Sequence, residues 1–461
     1  MRKLSCRFSL AALWTGRLVT GLLVVGFASV GLFGFAHAAD WGGYKVGHTI
    51  MSITIWDSDS SPPNPPNRPL HTLIWYPADP KSYQDAPPST YKPLLHGVAL
   101  PGPWPALSWE FAAERARENP ALKTRGRPYP LIVLSHPAMG DPFSNSKICE
   151  RLASYGYIVA APTHNGDTQD EVRTDFINKQ PNRTANLPCL DGLPGPCVDG
   201  LNKSMKDRAL DVKAVIDNIP SFFGEHVDMG RIGFVGASRG SATGLSLAGG
   251  STVLNIAPDP RVGALFLLTA GGAANPLMNL AAITIPTVQV SGTKDRNLTV
   301  SRATFDAISS SSKAYLVITS AWHRGLSADS SCEQMQAIGP IAQSNPDAIL
   351  DLQSLQNLIL RNPVPSQESG TMLDVCRYEF FVDPVHITPI VFGQTGVQVT
   401  PQNVPTSIEL AVVNVMVSDL ARAFFGDVLD VRGDENFGEY LIDEFQEKYG
   451  ENLTTVELPS W

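Results

Sequence analysis

The chain has 461 residues, 43% of them apolar and 17% charged, a globular composition with ample material for a large core. Its formal net charge of -9 at pH 7 supplies no basic face of the kind that phosphate binding needs, which argues against nucleic acid as a partner. Length division alone suggests roughly three domains, but no long linker and no repeat period divides the chain, so one large domain with insertions is expected.

The first residues are expected to lie outside the fold. Arg2, Lys3, Arg7 and Arg17 precede an apolar run from about Leu18 to Phe35, and Ala36-His37-Ala38 follows. A basic start, an apolar middle and small residues in Ala-x-Ala spacing read as an export signal cleaved near Ala38. Residues 39–461 then form the mature domain, periplasmic or secreted. An uncleaved membrane anchor is the alternative, because the run approaches spanning length; the small residues and polar Asp40 favour cleavage. No later segment is long and apolar enough to span a membrane, so the mature protein is expected to be soluble.

Six cysteines become five once Cys6 leaves with the signal, and export permits disulfides. Cys189 and Cys197 flank a Pro/Gly loop and read as a local staple. Cys332 and Cys376 are the next plausible pair. Cys149 falls in a predicted amphipathic helix and reads as a buried free thiol. None of the spacings resembles a zinc site.

Tyr44 to Trp56 and Leu70 to Tyr76 are enriched in β-branched and aromatic residues and open the chain as antiparallel strands around the Pro/Ser/Asn loop Asp57 to Pro69. Pro80 to Arg127 reads as an irregular excursion, part of a cap or rim, with one short helix predicted over Trp109 to Glu118. Leu131 to Leu134 is a continuous apolar run, as in a strand buried on both faces. It ends in Ser135-His136-Pro137-Ala138-Met139-Gly140. A helix over Asn145 to Tyr155 and a strand over Tyr157 to Ala161 follow. Asp167 to Asn202 is an insertion without periodicity, and Met205 to Ile219 resumes a helical pattern.

Arg231 to Leu247 reads RIGFVGASRGSATGLSL. An apolar strand runs into Gly236-Ala237-Ser238-Arg239-Gly240, and small residues suited to a close-packed helix follow. Strand, Gly-x-Ser-x-Gly, helix is the context of a nucleophile elbow. A serine held free of its neighbours needs a strained turn, and the flanking positions then approach too closely for any side chain. The pentapeptide alone is common by chance; its strand and small-residue helix are what favour the catalytic reading.

Val262 to Leu268 and Thr287 to Val290 are further apolar strands. A helix over Ser301 to Ser309 and a strand over Ala314 to Thr319 come next, ending in Trp322-His323. Glu333 to Leu360 reads as helical, a second cap element, and Ser407 to Phe424 as the closing helix. Alternating strands and helices predict an α/β fold, a mostly parallel doubly wound sheet with antiparallel amino-terminal strands and cap-like insertions around 80–127, 167–202 and 333–383.

Ligand groups in such sheets gather at the carboxyl ends of strands, where the sequence places His136, Ser238, Asp295 and His323. Serine, acid, histidine in that order fits an elbow nucleophile with His323 as base and Asp295 as orienting acid. Asp329 is the alternative acid. His164 also follows a strand but precedes the elbow, so it reads as lining the pocket mouth, with His136, Met139 and Trp322 as further pocket candidates. An oxyanion needs N–H donors, from Arg239 after the serine and from the first loop; Pro137 has no N–H, which leaves Ala138.

The set SHPAMG, GASRG, GTKD and the WHRG histidine resembles the α/β-hydrolase superfamily. More closely it is similar to bacterial secreted members of the platelet-activating-factor acetylhydrolase and dienelactone-hydrolase-like group. The resemblance covers about Tyr44 to Thr319, the histidine loop and the closing helix. It implies a serine carboxylic ester hydrolase for small-molecule or lipid-like esters, without metal or organic cofactor. It carries the roles above onto Ser238, Asp295, His323, Ala138 and Arg239. The chain departs at Ala237, where family elbows often carry His, at Pro137, where Gly is usual, and in the long segment 333–383. Ser238 argues against dienelactone hydrolysis proper, which uses cysteine. A secreted peptidase or acyltransferase on the same fold is the alternative, and a non-catalytic binding protein a more distant one.

Overall fold

A computed structural model describes residues 41–56, 67–92, 110–138, 140–165, 167–168, 197–271, 275–295, 297–321, 323–330, 410–429 and 436–461, all within the compact unit His37–Trp461. Eleven strands among these residues form one mixed sheet. In chain order they are β1 (Lys45–Trp56), β2 (Asn67–Ala78), β3 (Pro88–Tyr91), β4 (Phe111–Glu118), β5 (Tyr129–Ser135), β6 (Ile158–Pro162), β7 (Val227–Ala237), β8 (Val262–Leu268), β9 (Thr287–Gly292), β10 (Lys313–Ile318) and β11 (Leu453–Ser460). Across the sheet the order is β11-β10-β9-β8-β7-β5-β6-β2-β1-β4-β3. The block from β10 to β6 is parallel, and β2 joins β6 antiparallel.

The continuous apolar runs are explained by burial on both faces. Alternate residues of one strand feed different layers. Ile132 and Leu134 pack with α2 (Ser146–Ser154) and the closing helix, through Ile148, Leu152, Leu420 and Phe424. Leu131 and Val133 point the other way, onto the helix α3 (Cys197–Phe223) through Met205, Val212 and Ile216. The chain steps from β5 to β6 on one side and returns to β7 on the other. Open α/β sheets place their ligand sites at such a reversal, here the carboxyl ends of β5 and β7.

Three expectations need correction. The stretch 80–127 is not wholly irregular: α1 (Pro80–Asp85), β3 and β4 lie in it. Residues 111–118, predicted as part of a short helix over 109–118, form β4 instead, paired with β1 and β3. The cause is tertiary. Glu150 of α2 accepts backbone N–H groups of Glu114, Arg115 and Ala116 at 3.0, 2.6 and 2.9 Å, holding extended a segment whose propensity is helical. Finally, the insertion ends sooner than expected, because α3 already begins at Cys197.

Tyr91 also donates to Glu150, at 2.8 Å, and receives from Trp75 Nε1 at 2.7 Å. Burial raises the Glu150 carboxyl above its ordinary value, against the donors that lower it. Glu150→Gln places an NH2 group among these donors and is expected to cost about 1–3 kcal/mol in guanidinium unfolding.

The closing helix spans Leu410–Val428, and β11 beyond it was not anticipated. Cys149 is a buried free thiol as expected. Cys189, Cys332 and Cys376 and the predicted cap helix over 333–360 lie outside the described residues. Among the described residues no helix is long and apolar enough to cross a membrane.

Candidate active site

Ser238 stands between the end of β7 and the start of the helix α4 (Arg239–Gly249). Its backbone adopts φ 54 and ψ -111, a conformation that L-residues rarely hold unless their surroundings enforce it. The enforcement comes from the flanking glycines. A Cβ on Gly236 would lie 2.6 Å from the Gly240 carbonyl oxygen, and one on Gly240 would overlap the Ser135 carbonyl oxygen. Helix α4 therefore starts in backbone contact with the end of β5, which brings the elbow against the loop 136–138. Ser241 Oγ donates to the carbonyls of Gly236 and Leu268 at 2.8 and 2.9 Å and closes the turn.

His323 opens the short helix His323–Ser327 beyond β10. Its Nε2 lies 2.9 Å from Ser238 Oγ, and its Nδ1 lies 3.0 Å from Asp295 Oδ1. Asp295 sits just past β9 with a fully buried side chain, whereas that of His323 is 15% exposed. The Asn297 N–H donates to the same Oδ1 at 2.8 Å and fixes the carboxylate. With Nδ1–H donated to Asp295, Nε2 is free to accept the Ser238 hydroxyl proton. A hydroxyl on a strained turn, a base within hydrogen-bond reach and a buried acid orienting that base now stand at the carboxyl ends of parallel strands.

The chain has the α/β-hydrolase fold.

Residues 108–189 of this chain match the sequence model of the family described as platelet-activating factor acetylhydrolase, isoform II. That stretch holds β5 and its loop and stops short of the elbow. No curated protein matches the chain. Among solved structures, a ferulic acid esterase from Streptomyces cinnamoneus is 17% identical over 91% of this chain and 98% of its own, with a TM-score of 0.48. A cold-adapted esterase from an Arctic intertidal metagenomic library is 14% identical over 62% of this chain and 91% of its own, with a TM-score of 0.36. A dienelactone hydrolase from Anabaena variabilis is 13% identical over 63% and 95%, with a TM-score of 0.35.

Of the other sequence candidates, Met139 and Trp322 lie outside the described residues. Arg239 directly follows Ser238 as the first residue of α4, and Ala138 lies on the loop after β5, whose first residues meet the start of α4 at Gly240. Asp329, the alternative acid, lies elsewhere: its oxygens accept the N–H groups of Lys147 and Ile148 at 3.2 and 2.8 Å in the first turn of α2. His164 is not at a pocket mouth. It is buried, with Nε2 2.8 Å from Ser135 Oγ and Nδ1 2.9 Å from Asp211 Oδ2. Burial, with Arg208 alongside, pushes it down to about 4. This is a second Ser-His-Asp line, yet all three residues are sealed from solvent, so no reactant reaches it. His136 is equally buried, Nε2 2.9 Å from the Thr163 carbonyl oxygen and Nδ1 2.7 Å from that of Pro137. It backs the loop rather than lining a pocket.

Sequence reading also missed the ions beneath the elbow. Buried Asp167 accepts from Arg208 Nε at 2.7 Å and, with both oxygens, from Arg239 Nη1 at 3.0 Å. No spacing rule joins residues so far apart, and Arg208 is simply a polar position within a helical pattern. Among the described residues no group of three His, Cys, Asp or Glu side chains is arranged to hold a metal ion.

Burial raises Asp329 to about 7, against the two N–H donors and Lys147, which lower it. A carboxyl held above its ordinary 3.8 binds its proton more tightly folded than unfolded. Its stabilising contribution is therefore complete below pH 3.8 and lost as pH rises through about 7. Asp329→Asn has no proton to lose, so its stability relative to the parent should improve between pH 4 and pH 7.5, by about 2–4 kcal/mol. Paired guanidinium unfolding curves at those two pH values check this.

Proposed function

We propose that this protein is an exported serine hydrolase that cleaves carboxylic esters, with short-chain or lipid-like acyl groups, through an acyl-serine intermediate. The observation that carries the reading is the hydrogen-bonded line from Ser238 Oγ through His323 to Asp295. Ser238 attacks the ester carbonyl while His323 Nε2 takes its proton; Asp295 holds the imidazole in the required tautomer and stabilises its cationic form. His323 returns the proton to the departing alcohol, then activates the water that releases the acid. The N–H groups of Ala138 and Arg239 receive the oxyanion, and losing one such donor costs about 3–4 kcal/mol in the transition state.

The test is covalent. A fluorophosphonate probe should label the protein once, with the adduct on the peptide carrying Ser238 and none on Ser238→Ala. Labelling elsewhere, or labelling that survives the substitution, overturns the assignment. A panel of p-nitrophenyl esters of increasing acyl length, with a phospholipid and a polyester film alongside, sorts the substrate class. Export with cleavage near Ala38, leaving 39–461 as one catalytic domain, belongs to the same proposal. Amino-terminal sequencing of the exported protein tests it.

A further inference from the structure

Arg208, on α3, reaches under the elbow with every part of its guanidinium engaged. Nε donates to Asp167 Oδ2 at 2.7 Å; Nη1 donates to the His136 carbonyl oxygen at 2.8 Å and to Ser135 Oγ at 3.1 Å; Nη2 lies 3.3 Å from the Pro137 carbonyl oxygen. The partner Asp167 also takes Ser204 Oγ at 3.0 Å and holds Arg239 through both carboxylate oxygens. Both Asp167 and Arg208 are fully buried.

Two observations give this arrangement a direction. First, the Pro137 carbonyl and the Ala138 N–H are opposite ends of one planar peptide, so fixing the oxygen fixes where the N–H points. The Gly140 N–H donates to the same oxygen at 3.1 Å, and His136 Nδ1 lies 2.7 Å from it. A hydrogen bond from a cation to the carbonyl also polarises the amide, which strengthens its N–H as a donor. Second, Asp167 ties that peptide to the residue after Ser238, because Arg239 supplies the other N–H. Burying two ions costs several kcal/mol each in desolvation, and an apolar pair of similar volume commonly serves stability as well. An expensive pair placed where one carboxylate connects two loops is suited to positioning.

We infer that Arg208 and Asp167 are positioning residues for the oxyanion site, Arg208 aiming the Ala138 N–H by holding the two preceding carbonyls and Asp167 locking that peptide to the elbow through Arg239. The inference rests on the acyl-serine reading proposed above. It assigns these residues no contact with substrate; they act through two backbone N–H groups.

The test separates positioning from folding and from failure of the hydrolase reading. Arg208→Lys keeps the charge but cannot span Asp167 and both carbonyls; Asp167→Asn keeps the shape but weakens both bridges. Turnover of p-nitrophenyl acetate is measured per active serine, counted by exhaustive fluorophosphonate titration so that unfolded protein drops out. Each variant should lose about 10²-fold in kcat, with KM within about threefold, because the interaction matters mainly once the oxyanion forms. The inhibition constant of phenylboronic acid, which forms a tetrahedral anion on the serine, should rise in parallel. A merely structural role moves none of these per-site values. If the buried variants do not fold, Arg239→Met at its half-buried position carries the test, with a loss of at least about tenfold in kcat and in boronate affinity. Folded variants that keep kcat per site within about threefold, or that change KM alone, overturn the inference. A parent activity indifferent to Ser238→Ala instead overturns the hydrolase reading beneath it.

Discussion

Ser238→Ala is expected to lower kcat for a short-chain chromogenic ester by about 10⁴- to 10⁶-fold and to leave the unfolding transition close to that of the parent. The activity loss is large because, among the described residues, no other nucleophile is placed to substitute. Ser135, the one other described serine joined to a His-Asp pair, is sealed in the interior beside Arg208. The stability effect is small because Ser238 Oγ is bonded to a partly exposed imidazole and supports no packing. Alanine in a left-handed conformation adds little strain to that which serine already bears there. Residual turnover within about tenfold of the parent would mean that another group does the chemistry.

Gly240→Ala is expected to act in the opposite order, on the fold first. Its methyl group would overlap the Ser135 carbonyl oxygen, with the His136 carbonyl oxygen 3.1 Å away. Both obstacles are backbone at the end of β5 and cannot swing aside, so α4 and β5 have to separate. The expected cost is about 3 kcal/mol or more in guanidinium unfolding. Whatever folds should lose about 10²-fold or more in kcat/KM, because the elbow and the loop 136–138 move apart when misplacements of an ångström already cost that much. A variant with the parent's stability and kcat/KM would show that the close approach of α4 to β5 is not needed.

These outcomes also indicate what could be read from the chain alone. Val133 and Phe234 lie on strands covered on both faces, so their runs are apolar without alternation and were legible as central strands. The elbow was legible because its strain demands glycine at fixed offsets. Order along the chain singled out Ser238, Asp295 and His323, and the structure brings those three side chains together. It favoured Asp295 over Asp329, which lies beyond His323, but left Asp329 as an alternative, since either acid can reach a histidine depending on how the loops fold. The Asn297 N–H on Asp295 and the α2 amides on Asp329 separate them. Strand β4 was illegible because the residue that holds it extended, Glu150, is 34 to 36 positions away. Strand β11 escaped notice as a half-buried edge strand after the closing helix. Asp167 and Arg208 escaped for the same reason as β4: a buried ion pair between remote positions has no local pattern.

In the proposed hydrolase a hydroxyl, an imidazole and a carboxylate, drawn from three separate turns, operate as one unit. Kinetics of Ser238→Ala, His323→Ala and the double variant test this most directly, each measured against p-nitrophenyl acetate with the fold checked. Groups acting as a unit are strongly non-additive, so the double variant should retain nearly the same residual rate as either single one, about 10⁴-fold or more below the parent. Losses that multiply, or a His323→Ala enzyme that keeps most of its turnover, would contradict the account.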